Sequence, residues 1–329
     1  MMAMHNTAAG GNVVAPRTAR GLSLIELMVA LSIGALLLAG AVTVYMQSRN
    51  TYRTNDVASR MQEVGRYALD VISPDVRLAG FWGLTNRPDS FVNGAGAVAG
   101  DCGFNFAVNV ALPIEGRDAV ATGGTGYDPG WGCAPAAGIA AVDWADVLIV
   151  RRAAADIAVM ENGRIQVESN REIAALFSNG ALPADFDATM SETRDLVVGV
   201  YYVGEGPTIN GVRQFSLRRQ TLIGGAGGPS IRDDEIIAGV QDLQVQFGLD
   251  ADGDGTVERY VNPEDVPASA RISTVQLWLL VVAEEREVGF KDTNRNYSYA
   301  NANQTADVFH DDRRRVLVSK TIQIRNAAT

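Results

Sequence analysis

The sequence predicts an α+β fold, in which one long N-terminal helix precedes a mainly antiparallel β head of one or two sheets. Residues 27–48 carry no charged side chain. From residue 49 to residue 73, apolar side chains recur every three or four positions, which is the helical period. After residue 145, runs rich in β-branched and aromatic residues alternate with glycine-rich turns, a pattern that favours an antiparallel sheet.

The helix is predicted to run from Leu22 to Ser73, because no proline interrupts this stretch. Pro74 should then end or kink it, since proline cannot donate the next backbone hydrogen bond. A helix of this length measures about 75–80 Å at 1.5 Å per residue. Its uncharged part, residues 27–48, is long enough to span a bilayer, which needs about 20 residues. We therefore divide the chain into a leader, a helix and a head: 1–21, 22–74 and 75–329.

The head is predicted to contain seven strands, each an apolar run bounded by turn residues. They are Asp146–Arg151, Arg164–Glu168, Leu196–Val203, Gln214–Leu222, Val240–Leu249, Ile272–Val282 and Arg315–Arg325. Residues 75–145 are glycine-rich and are predicted to be irregular, with a few short strands. Residues 171–179, REIAALFSN, are predicted to form a short helix.

Charge and composition exclude several classes of function. The 329 residues include 28 basic and 38 acidic side chains, and the formal net charge is −10. An acidic chain is poorly suited to bind the nucleic-acid backbone, so no nucleic-acid partner is predicted. Beyond the leader the sole histidine is His310, which excludes a multi-histidine zinc site. A catalytic triad would have to depend on that one residue, and we predict that the chain is not an enzyme.

Glu26 is the only charged residue between Gly21 and Arg49. A carboxylate at the edge of a membrane span is costly and therefore indicates a function. Arg17 and Arg20 precede it and are expected to hold the leader on the cytoplasmic side. An ordinary secretory signal has a shorter apolar core, of about 7–15 residues. An ordinary membrane anchor would explain the apolar length but not the carboxylate.

Residues 17–48, RTARGLSLIELMVALSIGALLLAGAVTVYMQS, resemble the class III signal peptide of type IV pilins and of type II secretion pseudopilins. The resemblance implies cleavage between Gly21 and Leu22 by a prepilin peptidase and N-methylation of Leu22. It also implies that Glu26 sets the register of assembly by pairing with the Leu22 amine of a neighbouring subunit. The sequence departs from the usual pattern by having Leu22 where phenylalanine is commonest and Ser23 where threonine is.

Four further segments resemble the PilW family of type IV pilus assembly proteins. They are RLAGFWG (77–83), IIAGVQDLQVQF (236–247), LDADGDGTVERY (249–260) and RRRVLVSKTIQIRN (313–326). The resemblance implies a minor pilin that takes part in initiating pilus assembly and is incorporated at or near the filament tip. It also implies a single-pass inner-membrane protein with a periplasmic head, which later joins the filament.

The same resemblance implies several partners: other minor pilins, the major pilin, the prepilin peptidase and the inner-membrane assembly platform. One alternative is a pseudopilin of the J class at the tip of a type II secretion pseudopilus, which shares the helix and a two-sheet head. Another is a membrane-anchored periplasmic enzyme, but the sequence contains no convergent set of catalytic residues.

The two cysteines, Cys102 and Cys133, both follow the apolar segment. If the head is periplasmic, we expect a disulfide between them. The closed loop would contain about 30 residues and would stabilise the fold by roughly 3–4 kcal/mol. The alternative is a pair of buried free thiols.

A possible calcium loop lies near the C-terminus, where Asp250, Asp252 and Asp254 alternate. Alternating oxygens followed by glycine match the first half of an EF-hand-type loop, and Glu258 and the Thr256 carbonyl could add ligands. The closing glutamate of that loop is absent, because position 261 is a valine. The alternative is a solvated acidic hairpin turn without a metal. No cofactor is required, and calcium, if bound, would be structural.

Three other polar segments are expected to be structural. Residues 233–235, Asp-Asp-Glu, are predicted to form a solvated loop. Tyr297 and Tyr299 lie in an asparagine-rich stretch that is predicted to be a flexible loop. Asp311 and Asp312 are predicted to form local ion pairs with residues 313–315, which are all arginine.

Overall fold

The computed structural model describes residues 21–85, 87, 91–95, 98, 104–119, 135–268, 270–292, 297–300, 302–304 and 311–326. The chain divides into two compact units, Met1–Asn55 and Asp56–Thr329. A single helix, α1 (Leu24–Arg77), begins in the first unit and ends in the second. It has the length and the apolar composition needed to cross a membrane. No residue of its most apolar stretch is buried.

The end of α1 contradicts one of the two effects predicted for Pro74, because the proline does not end the helix. The helix continues to Arg77, three residues past the proline. Proline removes only its own hydrogen bond, and the N–H of Leu78 still donates to the carbonyl of Pro74 at 3.1 Å. Asp75 and Val76, which follow the proline, are both buried in the head. Their tertiary contacts hold the last turn in the helical conformation despite the lost hydrogen bond.

The second unit buries one face of α1. Met61, Gly65, Ala68, Ile72 and Val76 are buried, and their spacing of three or four residues places them on one side of the helix. This is the helical period on which the sequence prediction was based. The exposed residues between them are largely polar, so this part of α1 is amphipathic.

Gly65 is required by a close approach between α1 and the last strand. A Cβ atom at this position would lie 2.6 Å from Cγ2 of Val318 and 3.3 Å from Cγ2 of Val281. A real side chain cannot be accommodated at such a distance unless the strand shifts. The glycine thus sets how closely the helix packs on the sheet.

We expect Gly65→Leu to destabilise the head by about 1–3 kcal/mol, because it overpacks a fully occupied contact. Thermal unfolding of the full mature chain in detergent measures the effect. Introducing Val318→Ala into the same variant should recover part of the loss, since the smaller side chain makes room for the leucine. An equal loss with and without Val318→Ala would contradict this explanation.

Within the described residues the larger sheet has nine strands, and β7 lies at its centre. Its strands are β1 (Phe91–Gly94), β2 (Ile114–Arg117), β3 (Ala140–Ala141), β4 (Val147–Ala153), β5 (Asn162–Ser169), β6 (Ala174–Asn179), β7 (Glu192–Glu205), β8 (Phe215–Ile223) and β9 (Ser230–Ala238). The main order is β1-β6-β5-β7-β4-β2, while β8 and β3 also pair with β7, and β9 pairs with β8. Only β1 and β6 are parallel; the other described pairs are antiparallel. A four-residue helix, α2 (Phe104–Ala107), precedes β2.

The smaller sheet, as far as the structure describes it, has four antiparallel strands in the order β11-β10-β12-β15. They are β10 (Val240–Leu249), β11 (Arg259–Val261), β12 (Ile272–Val282) and β15 (Arg315–Gln323). A short 3₁₀ turn, Pro263–Asp265, follows β11, and a separate hairpin pairs β13 (Tyr297–Tyr299) with β14 (Ala302–Gln304). Gly239, at φ +92°, makes the sharp turn by which the chain passes from β9 of the larger sheet into β10.

A single apolar cluster joins the second half of α1 to both sheets. Ile72 of the helix, Leu243 of β10, Leu277 of β12 and Leu217 of β8 all belong to it, and each is fully buried. Burying such side chains contributes about 1.5–3 kcal/mol each, so this cluster stabilises the packing of α1 on the two sheets.

The observed fold confirms the predicted α+β class, with a long N-terminal helix and a mostly antiparallel head. All seven predicted strands are present, and the bounds of β10 and β12 match the prediction at both ends. The prediction of a short helix at residues 171–179 is wrong, because Ala174–Asn179 forms β6 between β1 and β5. Four successive buried residues open β6, a pattern produced by a strand covered on both faces rather than by a surface helix.

Candidate functional site

The start of α1 forms a reciprocal cap between Ser23 and Glu26. The Glu26 N–H donates to the Ser23 hydroxyl oxygen at 3.2 Å, and the Ser23 N–H donates to Oε2 of Glu26 at 3.4 Å. The N–H of Leu27 donates to the Ser23 carbonyl at 3.1 Å and forms the first helical hydrogen bond. This is the capping box that a serine followed three residues later by a glutamate can make.

The cap gives Glu26 a role within its own chain. Its carboxylate satisfies one of the backbone N–H groups that a helix start leaves unpaired, and it lies at the positive end of the helix dipole. The side chain remains exposed, so a second donor can still approach it. The sequence prediction assigned Glu26 only a contact with a neighbouring subunit and missed the cap, although the Ser-x-x-Glu spacing signals it.

The predicted cleavage point lies just outside this cap. Leu22 is 74% exposed, and a Cβ built on Gly21 would meet no atom within 4 Å. Among the described residues, none therefore blocks access to the backbone between Gly21 and Leu22. Arg17 and Arg20 lie outside the described residues. Cleavage after Gly21 and methylation of Leu22 stay predictions.

The other end of α1 is fixed to the head by an ionic cluster around Asp75. Arg152 of β4 donates to Oδ1 of Asp75 from Nε at 3.0 Å and from Nη2 at 2.7 Å. Tyr201 of β7 donates its hydroxyl to Oδ2, and Nη1 of Arg219 lies 3.8 Å from the same oxygen. Burial, together with the Asp75 carboxylate, raises the pKa of Tyr201 far above its usual range, so the hydroxyl remains a donor.

This cluster links α1 to three strands through one carboxylate. The Asp75 side chain is 9% exposed and the Arg152 side chain is 14% exposed. Each charge is therefore neutralised mainly by the other rather than solvated by water. Such a pair contributes little net stability while intact, but losing one partner leaves a buried charge uncompensated. The sequence prediction missed Asp75, because nothing in the local pattern around Pro74 indicates its partners.

The acidic loop between β10 and β11 brings the predicted calcium ligands together. One carboxylate oxygen from each of Asp250, Asp252, Asp254 and Glu258 can be chosen so that all lie within 4.8 Å of one another. Calcium binds oxygen at about 2.3–2.6 Å, so opposite ligands are about 4.6–5.2 Å apart. The spacing of these four oxygens thus fits a calcium ion.

Backbone hydrogen bonds hold the loop in this conformation. Oδ1 and Oδ2 of Asp250, whose side chain is fully buried, accept the N–H groups of Gly253 at 2.7 Å and Gly255 at 3.1 Å. Both glycines have positive φ angles, +80° and +89°, which explains the residue type at these positions. Glu258 accepts the N–H of Ala251 at 2.8 Å and closes the loop.

The pKa of one loop carboxylate, Asp254, is shifted downward. Hydrogen bonds from the hydroxyl and the N–H of Thr256 lower the pKa of Asp254 below its usual value. Arg271 places its Nε 3.7 Å from Asp250, the only cation paired with these carboxylates among the described residues. Val261 belongs to β11 and pairs with Phe247, so its position supplies no closing carboxylate.

Two polar segments that were predicted to be loops belong to strands instead. Asp233 does not lie in a solvated loop: it belongs to β9, and its carboxylate accepts the Nε of Arg218 at 3.0 Å and the hydroxyl of Tyr202. Likewise, Tyr297 and Tyr299 form β13, and Tyr299 is buried and donates its hydroxyl to Asp242. In both places side-chain pairing with a distant strand outweighs the polar local sequence.

The local ion pairs predicted with residues 313–315 are confirmed for Asp311 but, among the described residues, not for Asp312. Arg315, which is fully buried, donates to Asp311 at 2.8 and 2.9 Å and to Asp292 at 3.0 Å. Burial raises the pKa of Asp311, but hydrogen bonds from Arg315 and from the N–H of Arg313 outweigh it and lower the pKa overall. Asp312 pairs with Arg286 at 3.5 Å. Cys102 and Cys133 lie outside the described residues, and their disulfide stays a prediction.

Comparison with known proteins gives separate matches for the start of the N-terminal helix and for the C-terminal half of the head. Residues 200–326 match the family described as Type IV Pilus-assembly protein W, and residues 16–42 match the prokaryotic N-terminal methylation motif. Comparison with curated proteins gave no match. A solved structure titled Type IV-like pilin TTHA1219 from Thermus thermophilus is similar at 14% identity and a TM-score of 0.33, over 84% of this chain and 99% of that one.

The methylation motif coincides with the start of the apolar helix α1. The PilW region contains the smaller sheet, the calcium-loop candidate and the second half of β7. The apolar helix and the motif together indicate a membrane-anchored pilin that interacts with pilus components and the prepilin peptidase. These two matched regions support the identification of the chain as a type IV pilin similar to the PilW family.

Proposed function

We propose that the chain is a minor pilin that takes part in initiating type IV pilus assembly and is incorporated at or near the filament tip. The observation that carries the proposal is the methylation motif at the start of an apolar helix whose one charged residue, up to residue 48, is Glu26. The role is structural: the apolar half of α1 packs laterally against the helices of neighbouring subunits.

Glu26 sets the axial register in this proposal. Cleavage after Gly21 creates a new amine on Leu22, and the Glu26 carboxylate of one subunit pairs with the amine of the next. Two charges in an apolar environment are tolerated only when they neutralise each other, so a subunit shifted by one helical turn is disfavoured. The cap formed with Ser23 supports the proposal, because it holds the carboxylate in place before a neighbour arrives.

Intact mass and N-terminal sequencing of the membrane-extracted chain test this proposal. We expect a chain that begins at N-methyl-Leu22 in cells with the prepilin peptidase, and an uncut chain in cells without it. A chain that keeps residues 1–21 in both strains, or one cut beyond the apolar segment, would overturn the proposal.

Deleting the gene distinguishes the minor pilin from the J-class pseudopilin. A role in pilus initiation predicts that the deletion strain makes far fewer type IV pili, while type II secretion of its substrates continues. The pseudopilin alternative predicts the reverse. Restoring the gene on a plasmid should restore whichever function was lost.

We also propose that the loop at Asp250–Glu258 binds calcium as a structural ion. Its four carboxylate oxygens have the required spacing, and the Thr256 carbonyl stands at the position where such loops supply a backbone ligand. The ion would neutralise carboxylates that otherwise repel one another and would fix the turn between β10 and β11.

Calcium is therefore expected to raise the melting temperature of the mature chain. At a calcium concentration about 100-fold above the dissociation constant the gain is about 2.7 kcal/mol. Magnesium should have a much smaller effect, because it requires shorter bonds and a rigid octahedral site. Asp252→Ala should abolish the calcium effect, whereas Asp185→Ala, in an exposed turn outside the loop, should leave it unchanged. An equal response of both variants to calcium would contradict the site.

A further inference from the structure

Among the strands that the structure describes, the last, β15, has one free edge. It pairs with β12 on one side and lies at the end of the order β11-β10-β12-β15. Its pairing with β12 is continuous from Arg315 to Gln323, without a bulge. No other described strand pairs with its outer side.

The register shows which backbone groups point outward. The Ile324 N–H donates to the Ser273 carbonyl, and the Ala283 N–H donates to the Arg314 carbonyl, so even-numbered residues bond to β12. Because hydrogen-bonded positions alternate along an antiparallel pair, the odd-numbered residues direct their N–H and C=O groups to the other side. At residue 325 this outward N–H is used, since it donates to the carbonyl of Arg77.

Four residues along this edge offer unpaired backbone groups: Leu317, Ser319, Thr321 and Gln323. All four are exposed, and no described backbone or side-chain group bonds to their outward N–H groups. Exposed strand edges are usually blunted by a bulge, a proline or an outward-pointing charge. β15 has neither bulge nor proline, and its one lysine, Lys320, turns toward α1 and pairs with Asp70 at 3.0 Å.

A basic cleft adjoins the C-terminal end of this edge. It has a volume of about 370 Å³ and is lined by Arg77, Lys320, Arg325 and the carboxylate of Asp70, together with uncharged residues of α1. Arg77 and Arg325 form no ion pair within the described part of the chain. In a chain with a formal charge of −10, three cations around one carboxylate are an unusual local excess of positive charge.

We propose that the β15 edge and the basic cleft together bind an extended, acidic segment of a different pilus subunit, which adds as a fifth strand to the smaller sheet. The inference rests on the proposed function for the existence of such a subunit. The outward N–H and C=O groups supply backbone recognition, and the cleft selects a segment with carboxylates at the end that meets Arg77 and Arg325.

A second copy of this chain fits the surface less well. Antiparallel pairing of β15 with itself would place the basic cleft of each copy beside residues 313–315 of the other. These three arginines already pair with Asp311, Glu287 and Asp292, so a second copy would bring no free carboxylate to the cleft. The surface therefore favours a partner of opposite charge.

Site-specific photo-crosslinking in piliated cells tests the strand addition. A photoreactive amino acid replaces Thr321 in the full chain, and mass spectrometry identifies the crosslinked peptide. We expect an acidic, strand-forming segment of another pilus subunit. A crosslink to a second copy of this chain, to a segment without acidic residues, or to no protein at all would overturn the proposal.

The variant Ser319→Pro removes one outward N–H and leaves the bonds to β12 intact, because residue 319 does not donate to β12. We expect the crosslink yield to fall about tenfold, as expected for loss of ladder hydrogen bonds at the edge. Ser319→Thr changes the same side chain but keeps the N–H, so its yield should stay at the wild-type level. If the two variants have the same melting temperature, equal crosslink yields would refute strand addition at the β15 edge.

Charge reversal tests the cleft by a route that does not alter the strand. The double variant Arg77→Glu, Arg325→Glu should lose most of the crosslink, while Arg171→Glu, at an exposed arginine between β5 and β6, should keep it. Failure of the inference and of the proposed function are distinguishable. If Leu22 is methylated and pili form normally with Ser319→Pro, the strand addition is wrong and the minor-pilin role stands.

Discussion

The variant Glu26→Val is expected to be cleaved and methylated at Leu22 but to be absent from filaments. The peptidase acts on the backbone after Gly21, which the structure leaves open, and valine at residue 26 does not block it. Assembly, in contrast, would place the Leu22 amine of a neighbouring subunit in an apolar environment without a counter-charge. An unpaired charge of this kind costs several kcal/mol, enough to exclude the subunit.

Glu26→Gln separates the two roles that the structure gives to this residue. Glutamine can still accept the Ser23 N–H and complete the capping box, but it carries no charge. If the ion pair with the neighbouring amine is decisive, Glu26→Gln should fail to assemble just as Glu26→Val does. If only the cap matters, Glu26→Gln should assemble normally, and the register hypothesis is then refuted.

Filament fractions sheared from cells provide the measurement. Immunoblots compare the variant chain in the sheared fraction with that in the membrane fraction, and intact mass confirms processing in both. Ser23→Ala is a useful companion variant, because it weakens the cap and leaves the charge. We expect it to assemble with at most a moderate defect, since losing an N-cap costs about 1 kcal/mol.

The second large effect is expected at Asp75. Asp75→Asn should destabilise the head by about 3–5 kcal/mol, because two arginines and a buried tyrosine hydroxyl lose the carboxylate they share. For a unit of this size such a loss lowers the melting temperature by about 10 °C. Thermal unfolding of the mature chain, followed by circular dichroism, measures it.

Asp56→Asn is the matched control for Asp75. Asp56 also lies on α1 and pairs with an arginine, Arg60, at 3.2 Å, but both side chains are largely exposed. An exposed pair contributes at most about 1 kcal/mol, so the control should leave the melting temperature nearly unchanged. Similar shifts for both variants would mean that burial is not what makes the Asp75 cluster important.

The sequence predicted those parts of the fold that depend on local pattern. β10 and β12 were located at both ends because each is a long apolar run between turns, and each is buried in the smaller sheet. The helix predicted at residues 171–179 is not formed, although the segment contains Ala and Leu, which favour helices. The neighbouring strands β1 and β5 decide otherwise, and no local pattern records their position.

The candidate sites show the same limit. Glu26 and the Asp250 loop were predicted because the residues that define each site lie within a few positions of one another in the sequence. Asp75 was missed because its partners are 77 and 126 residues away in sequence. The free edge of β15 was equally invisible, since a strand's position at the end of a sheet is a property of the whole topology.

The packing of β15 against α1 also has a consequence for the order of folding. Gly65 and Asp70 contact Val318 and Lys320, and the last of these pairs is separated by 250 residues. The buried face of α1 therefore has no complete partner surface until nearly the whole head has been synthesised. Closing so long a loop is an entropically costly, late step. A chain truncated before residue 315 would lack β15 and would leave that face of α1 exposed. The helix therefore acquires its full packing surface only when synthesis of the head is complete.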